Sequence, residues 1–142
     1  MVTYQRRCIF GEIVDCEIRL NPFGQIVAQK WEWLPTQYPY VNTDSYIVMP
    51  NHFHGILQIN ESSRGGSRPA PTMKIKPLGQ LIGLFKTVSA KHVNLFRGTP
   101  GIPVWQRNYY EHIIRDQDEL INIHNYILSN PDHWTDDPEN IH

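Results

Sequence analysis

The stretch Asp44–Ile59, "DSYIVMPNHFHGILQI", decides how the chain folds. Two runs rich in β-branched and aromatic residues flank Pro50-Asn51, a turn-forming pair, so the stretch predicts an antiparallel hairpin. Residues two apart on a pleated strand share a face. His52 and His54 therefore project to one side and Phe53 to the other. Two imidazoles fixed side by side on a strand make half of a metal site without ordering a loop. A lone His-x-His pair is equally compatible with solvated histidines or with a hydrogen-bonded core pair. The other half of a site has to come from elsewhere in the chain.

Upstream, "CIFGEIVDCEIRLN", Cys8–Asn21, alternates around Val14-Asp15 and predicts a first hairpin. Asn21-Pro22 is an N-cap followed by proline at the first helical position. Phe23, Ile26, Val27, Trp31 and Leu34 continue at helical spacing, predicting a helix over about residues 22–34 that Pro35 and Pro39 break. Downstream, Glu61–Thr72, "ESSRGGSRPAPT", has no periodicity and reads as a flexible loop over about 61–73. Leu78, Leu81, Ile82, Phe85, Val88 and Val93 mark a second amphipathic helix, with Lys86, Ser89 and Lys91 on its more polar faces. "VWQRNYYEHIIR", Val104–Arg115, predicts a strand. Asp116-x-x-Glu119 opens a last helix, Gln117 to about Ser129. Asn130-Pro131 ends it, since a residue before proline is pushed out of the α region. Antiparallel strands interleaved with helices give an α+β fold with one central sheet.

The chain of 142 residues suits a single domain, with 40% apolar and 19% charged residues. A formal charge of −1 argues against coating nucleic acid through bulk charge, so any such surface must come from local clustering. Cys8 and Cys16 have no C-x-x-C spacing and read as reduced thiols of a cytoplasmic protein. No apolar run approaches a membrane span.

On the last helix, Tyr126 and Asn130 are four apart and share a face. Leu120, Ile123 and Ile127 form the apolar stripe, with Tyr126 at its edge. Taken singly, such a tyrosine is an amphipathic core residue and such an asparagine a helix-ending one. Taken in order, "VMPNHFHGIL", "WQRNYYEHIIR" and "YILSNP" resemble the REP-associated tyrosine transposases, relatives of the small single-tyrosine HUH transposases of bacterial insertion sequences. "FGEIVDCEIRLNPFG" resembles the family's first hairpin and helix start, and "LGQLIGLFKTVSAKHVN" its basic middle helix. The resemblance covers nearly the whole chain, 1–142, as one HUH domain.

This resemblance implies a ferredoxin-like HUH endonuclease fold. His52 and His54 match the two HUH histidines, Tyr126 the nucleophilic tyrosine, and Asn130 the position of a third, oxygen metal ligand. It implies Mg2+ or Mn2+ as cofactor, single-stranded or hairpin DNA as partner, no membrane association, and a monomer or a homodimer. The implied activity is cleavage and strand transfer through a 5′-phosphotyrosine. The chemistry agrees: a phenol with a pKa near 10 is a poor nucleophile, and a divalent Lewis acid on the phosphate offsets that. Tyr109 and Tyr110 are rival nucleophiles, only one of which faces any given side of a strand. Arg107, Lys86, Lys91, Arg64, Arg68 and Tyr110 are candidate DNA contacts. A non-cleaving DNA-binding protein with the same fold, and an unrelated histidine-ligated metal module, are the competing readings. Family members begin with a fuller first strand than Val2-Thr3-Tyr4 ahead of Gln5-Arg6-Arg7. This predicts a shortened strand and an exposed edge prone to self-association. Should the neighbour be the His52–Ile59 strand, both histidines lose support and activity weakens.

Overall fold

A computed structural model describes residues 1–60 and 75–140. Arg64, Arg68 and the loop expected at 61–73 lie outside the described residues. The elements run β1 (Gly11–Val14), β2 (Glu17–Leu20), α1 (Pro22–Gln37), β3 (Val41–Met49), β4 (His52–Ile59), α2 (Leu78–Arg97) and α3 (Gln117–Ser129). Short 3₁₀ segments occupy Tyr4–Arg6 and Asn130–Asp136. The fold is α+β, with two small antiparallel sheets, β1-β2 and β3-β4, and three helices, compatible with a ferredoxin-like arrangement. No described helix is long and apolar enough to cross a membrane.

The β3-β4 hairpin turns at Pro50-Asn51, with Met49 paired to His52 and Val41 to Ile59. A register shift between Thr43 and Tyr46 bulges β3 at Asp44-Ser45. The first hairpin turns one residue later than the alternation suggested. Val14 pairs with Glu17, and Asp15 and Cys16 form the two-residue loop with φ of 51° and 62°. Positive φ at both positions matches the right-handed strand twist, as a type I′ turn does. Both cysteines are exposed free thiols.

Helix α1 starts where expected, the Asn21 side chain accepting from Gly24 N at 3.0 Å. It ends three residues later than expected, because Pro35 lies inside it. A proline in the last turn removes a single ladder bond, so the core contacts of Val27, Trp31 and Leu34 carry the helix past it. Tyr38, forced to an extended φ of −135° by Pro39, is what stops it. Helix α2 buries Leu81, Ile82, Phe85 and Val93, and it buries Ser89 too, which the sequence had placed on a polar face. The Ser89 hydroxyl donates to Phe85 O at 2.7 Å and accepts from Trp105 Nε1 at 3.0 Å, so its burial leaves no bond unmade.

Val104–Arg115 is not a strand. Its pairing is confined to its start: Thr3 bridges Trp105, Tyr4 N donates to Val104 O, and Gln106 N donates to Val2 O. Strand propensity without a partner ladder does not hold a strand, and Tyr110 and Ile113 beyond it are exposed. The first residues run between this segment and β4, where Val2 bridges His52 and Thr3 N donates to Asn51 O. The expected neighbour of the first strand is thus β4 itself.

Trp31, Phe53 and Phe85 form the centre of the core, with ring centroids 4.9–5.4 Å apart. Phe53 is the face of β4 that meets α1 and α2. Gly24 sits where α1 crosses the first hairpin, and a Cβ there would lie 2.2 Å from Phe10 O. Gly83 on α2 has open space around it. Gly24→Ala should therefore destabilise by about 1–3 kcal/mol, while Gly83→Ala should stabilise by about 0.5–1 kcal/mol. Urea unfolding of the two variants measures both signs.

Candidate active site

β4 delivers the two histidines by strand alternation. His52 is fully buried and His54 partly so, their ring centroids 4.9 Å apart and nearly perpendicular. α3 brings the other half. Its start is fixed by Asp116, whose side chain accepts from Glu119 N at 2.9 Å, and Glu119 in turn accepts from Arg115 N at 2.7 Å. Of the expected apolar stripe only Ile127 is fully buried, with Leu120 and Ile123 half-buried. A polar contact adds to the docking: His124 Nδ1 lies 2.5 Å from Ser45 Oγ, and His124 Nε2 lies 3.5 Å from Asp44 Oδ2, both on the β3 bulge.

So held, α3 places Tyr126 beside His54, ring centroids 5.3 Å apart at 75°. Tyr126 is 53% exposed. Asn130 is buried, and its Oδ1 lies 3.2 Å from His52 Nε2. Its backbone stays helical, at φ −56° and ψ −44°, before Pro131. The expected extended conformation does not occur, because the chain turns directly into the 3₁₀ segment instead of leaving the helix axis. That segment brings Trp134 to stack on His52 at 6.0 Å and leads to Asp137, whose Oδ2 stands 3.5 Å from His52 Nε2.

The four site residues predicted from sequence thus meet. Asp137, Asn51 and His124 belong to the neighbourhood as well, and sequence reasoning missed them. Asp137 lies beyond the helix in a polar tail with no periodicity. Asn51 reads as a turn residue, and nothing in the sequence singles out His124. The donor types at the site, two imidazoles and a carboxamide oxygen, suit a divalent ion that accepts nitrogen and oxygen. Among the described residues no group of three or more His, Cys, Asp or Glu side chains gathers around one point. Two of the three protein ligands would be His52 and His54, and the third a carboxamide.

Burial depresses the pKa of His52, partly opposed by Asp137, and burial together with His52 pushes His54 down to about 3. Both rings are therefore neutral with lone pairs available across the physiological range.

The remaining candidates lie elsewhere. Lys86 donates to the carbonyls of Gln106 and Arg107 and so braces that segment against α2. Lys91 and Arg107 are exposed. Tyr110 is 87% exposed, and Tyr109 donates to Glu111 at 3.2 Å. A groove of about 560 Å³ along α2 and residues 100–105 is lined in part by Lys86, Lys91, Asn94 and Trp105.

A Haemophilus influenzae protein described as uncharacterized is 38% identical over 139 residues, covering 93% of this chain and 77% of that protein. A second H. influenzae protein, named "Putative REP-associated tyrosine transposase", is 29% identical over 112 residues, covering 79% of this chain and 58% of that protein. No protein-family model matches the chain, and no solved structure does. The chain belongs to the same family as the first of these H. influenzae proteins.

The depressed histidines fix a pH dependence. Unfolded imidazoles titrate near 6.5, whereas folded His54 does so near 3. Between those values the unfolded chain binds more protons, so stability is full above pH 6.5 and falls as pH drops toward 3. Each such histidine contributes a slope of up to about 1.4 kcal/mol per pH unit. Urea unfolding in EDTA across this window should show the decline, and His54→Gln should flatten it.

Proposed function

We propose that this family member is a metal-dependent single-stranded DNA endonuclease and strand-transferase of the tyrosine transposase type, acting at hairpin-associated sites. The observation that carries the reading is the meeting of residues 72 to 78 positions apart in sequence: Tyr126 against His54, and Asn130 against His52. The likeness to the relative named a REP-associated tyrosine transposase points the same way.

His52, His54 and Asn130 would hold the ion, and manganese tolerates both imidazole and carbonyl ligands. Such an ion supplies Lewis-acid withdrawal of charge from a phosphate oxygen. The protein supplies the rest. The rigid strand fixes both imidazoles, and burial keeps them unprotonated. Tyr126 stands half-exposed at the mouth, where a long phosphodiester chain can reach it. Attack of the Tyr126 oxygen on phosphorus forms the new phosphorus–oxygen bond and breaks the bond to the 3′-oxygen. The phenol proton passes to solvent, and the departing 3′-oxygen takes one up. The resulting 5′-phosphotyrosine keeps the bond energy for rejoining, so strand transfer needs no other energy source. Lys91 and Arg107 are available for phosphates, and the exposed Tyr110 ring for a stacked base.

Labelled single-stranded hairpin DNA and manganese should give a covalent protein–DNA band on a denaturing gel. Tyr126→Phe should remove the band with little change in melting temperature, because the ring's contacts remain. His52→Ala and His54→Ala should weaken manganese binding in calorimetry by more than the ~10–100-fold typical of losing an outer-sphere partner. An adduct that survives Tyr126→Phe and is lost in Tyr110→Phe would transfer the nucleophile's role to Tyr110.

A further inference from the structure

By sequence Asn51 is half of a turn, yet it is fully buried, and its side chain bonds both to His52 and to the backbone of residues 6 and 139. Its Nδ2 donates to Arg6 O at 3.1 Å and to Glu139 O at 2.5 Å. Both partners are backbone carbonyls, which only accept. The amide therefore cannot be turned around, since its oxygen would then face two other oxygens at hydrogen-bond distance. With Nδ2 committed, Oδ1 faces His52 Nδ1 at 3.0 Å. An amide oxygen only accepts, so the proton of the neutral ring must sit on Nδ1.

The other ring nitrogen is then unprotonated. Its lone pair points at Asn130 Oδ1, 3.2 Å away, and toward Asp137 Oδ2 at 3.5 Å. Nitrogen and oxygen lone pairs converging on one small space repel each other when nothing lies between them. A cation relieves that repulsion, and a proton on Nε2 would as well.

We propose that Asn51 is a positioning residue that locks His52 in the Nδ1–H tautomer and so presents Nε2, bare, to a divalent cation. The proposal rests on the metal-dependent reading above, but its first measurement is made without metal. The two therefore stand or fall separately. Arg6 and Glu139 contribute only their main-chain carbonyls, so the lock also depends on the first and last described segments being in place around the Pro50-Asn51 turn.

Nitrogen-15 NMR of histidine-labelled, metal-free protein at neutral pH reads the tautomer directly. Nδ1–H at His52 is expected, and Nε2–H in the wild-type protein overturns the proposal. Asn51→Ala removes the acceptor, and Nε2–H should then appear, bonded to Asn130 or Asp137. Manganese affinity should fall about 10–100-fold in Asn51→Ala, the range for loss of a group that orients a ligand. An Asn51→Ala protein that folds with Nδ1–H and unchanged affinity overturns the assignment. If Asn51→Ala does not fold, the wild-type spectrum decides: Nε2–H there overturns it.

Discussion

Phe53 anchors the molecule. Its ring lies 4.9 Å from Trp31 and 5.2 Å from Phe85, so one side chain of β4 ties the strand to both large helices. Burying an aromatic ring of this size is among the larger single contributions to a small core. Because alternate residues of a strand face opposite ways, fixing Phe53 on the core side fixes His52 and His54 on the other. A register slip by one residue would exchange them and bury two imidazoles among aromatic rings. The core thus sets the orientation of the site, and the site inherits the rigidity of the best-packed part of the chain.

That dependence explains what was legible in the sequence. The alternation at residues 52–54, the Pro50-Asn51 turn and the two side-chain caps Asn21 and Asp116 are local, and each was readable from neighbours a few positions away. The errors fall where distant contacts decide. Pro35 stays in α1 because its turn is held by a core the proline does not interrupt. Ser89 is buried because Trp105, 16 residues on, brings it a donor. The β-prone run from Val104 has a partner only at its first residues, so it does not become a strand. The candidate site was legible in its four principal residues through resemblance, and Tyr126 and Asn130 also through shared helical spacing. Asn51 and Asp137 were not, because their roles exist only after residues 6, 52, 137 and 139 have been brought together.

The electrostatics of the site follow from burial more than from charge. The cluster holds neutral imidazoles and amides with the carboxylates of Asp137 and Glu139 acting on His52, and a closed hydrogen-bond arrangement on one side of His52 leaves an open one on the other. A polar group buried without a partner is costly. At His52 the Nδ1 side is satisfied by Asn51 Oδ1, while Nε2 faces the oxygens of Asn130 and Asp137.

The β3 bulge has a consequence for how the molecule comes apart. The site's histidines sit on the strand that the aromatic core anchors, and they open only when that core opens. Tyr126 belongs to a helix that buries Ile127 fully, leaves Ile121 and Leu128 exposed, and is gripped in part by a serine–imidazole contact on the bulge. Proteins open in cooperative units of unequal stability. The two halves of this site lie in different units: amides of β4 should exchange with solvent at the rate of global unfolding, and those of α3 faster. Tyr126 is thus mounted on the less tightly packed helix and His52 and His54 on the better-packed strand, so opening of the helix is expected to leave the histidines in place.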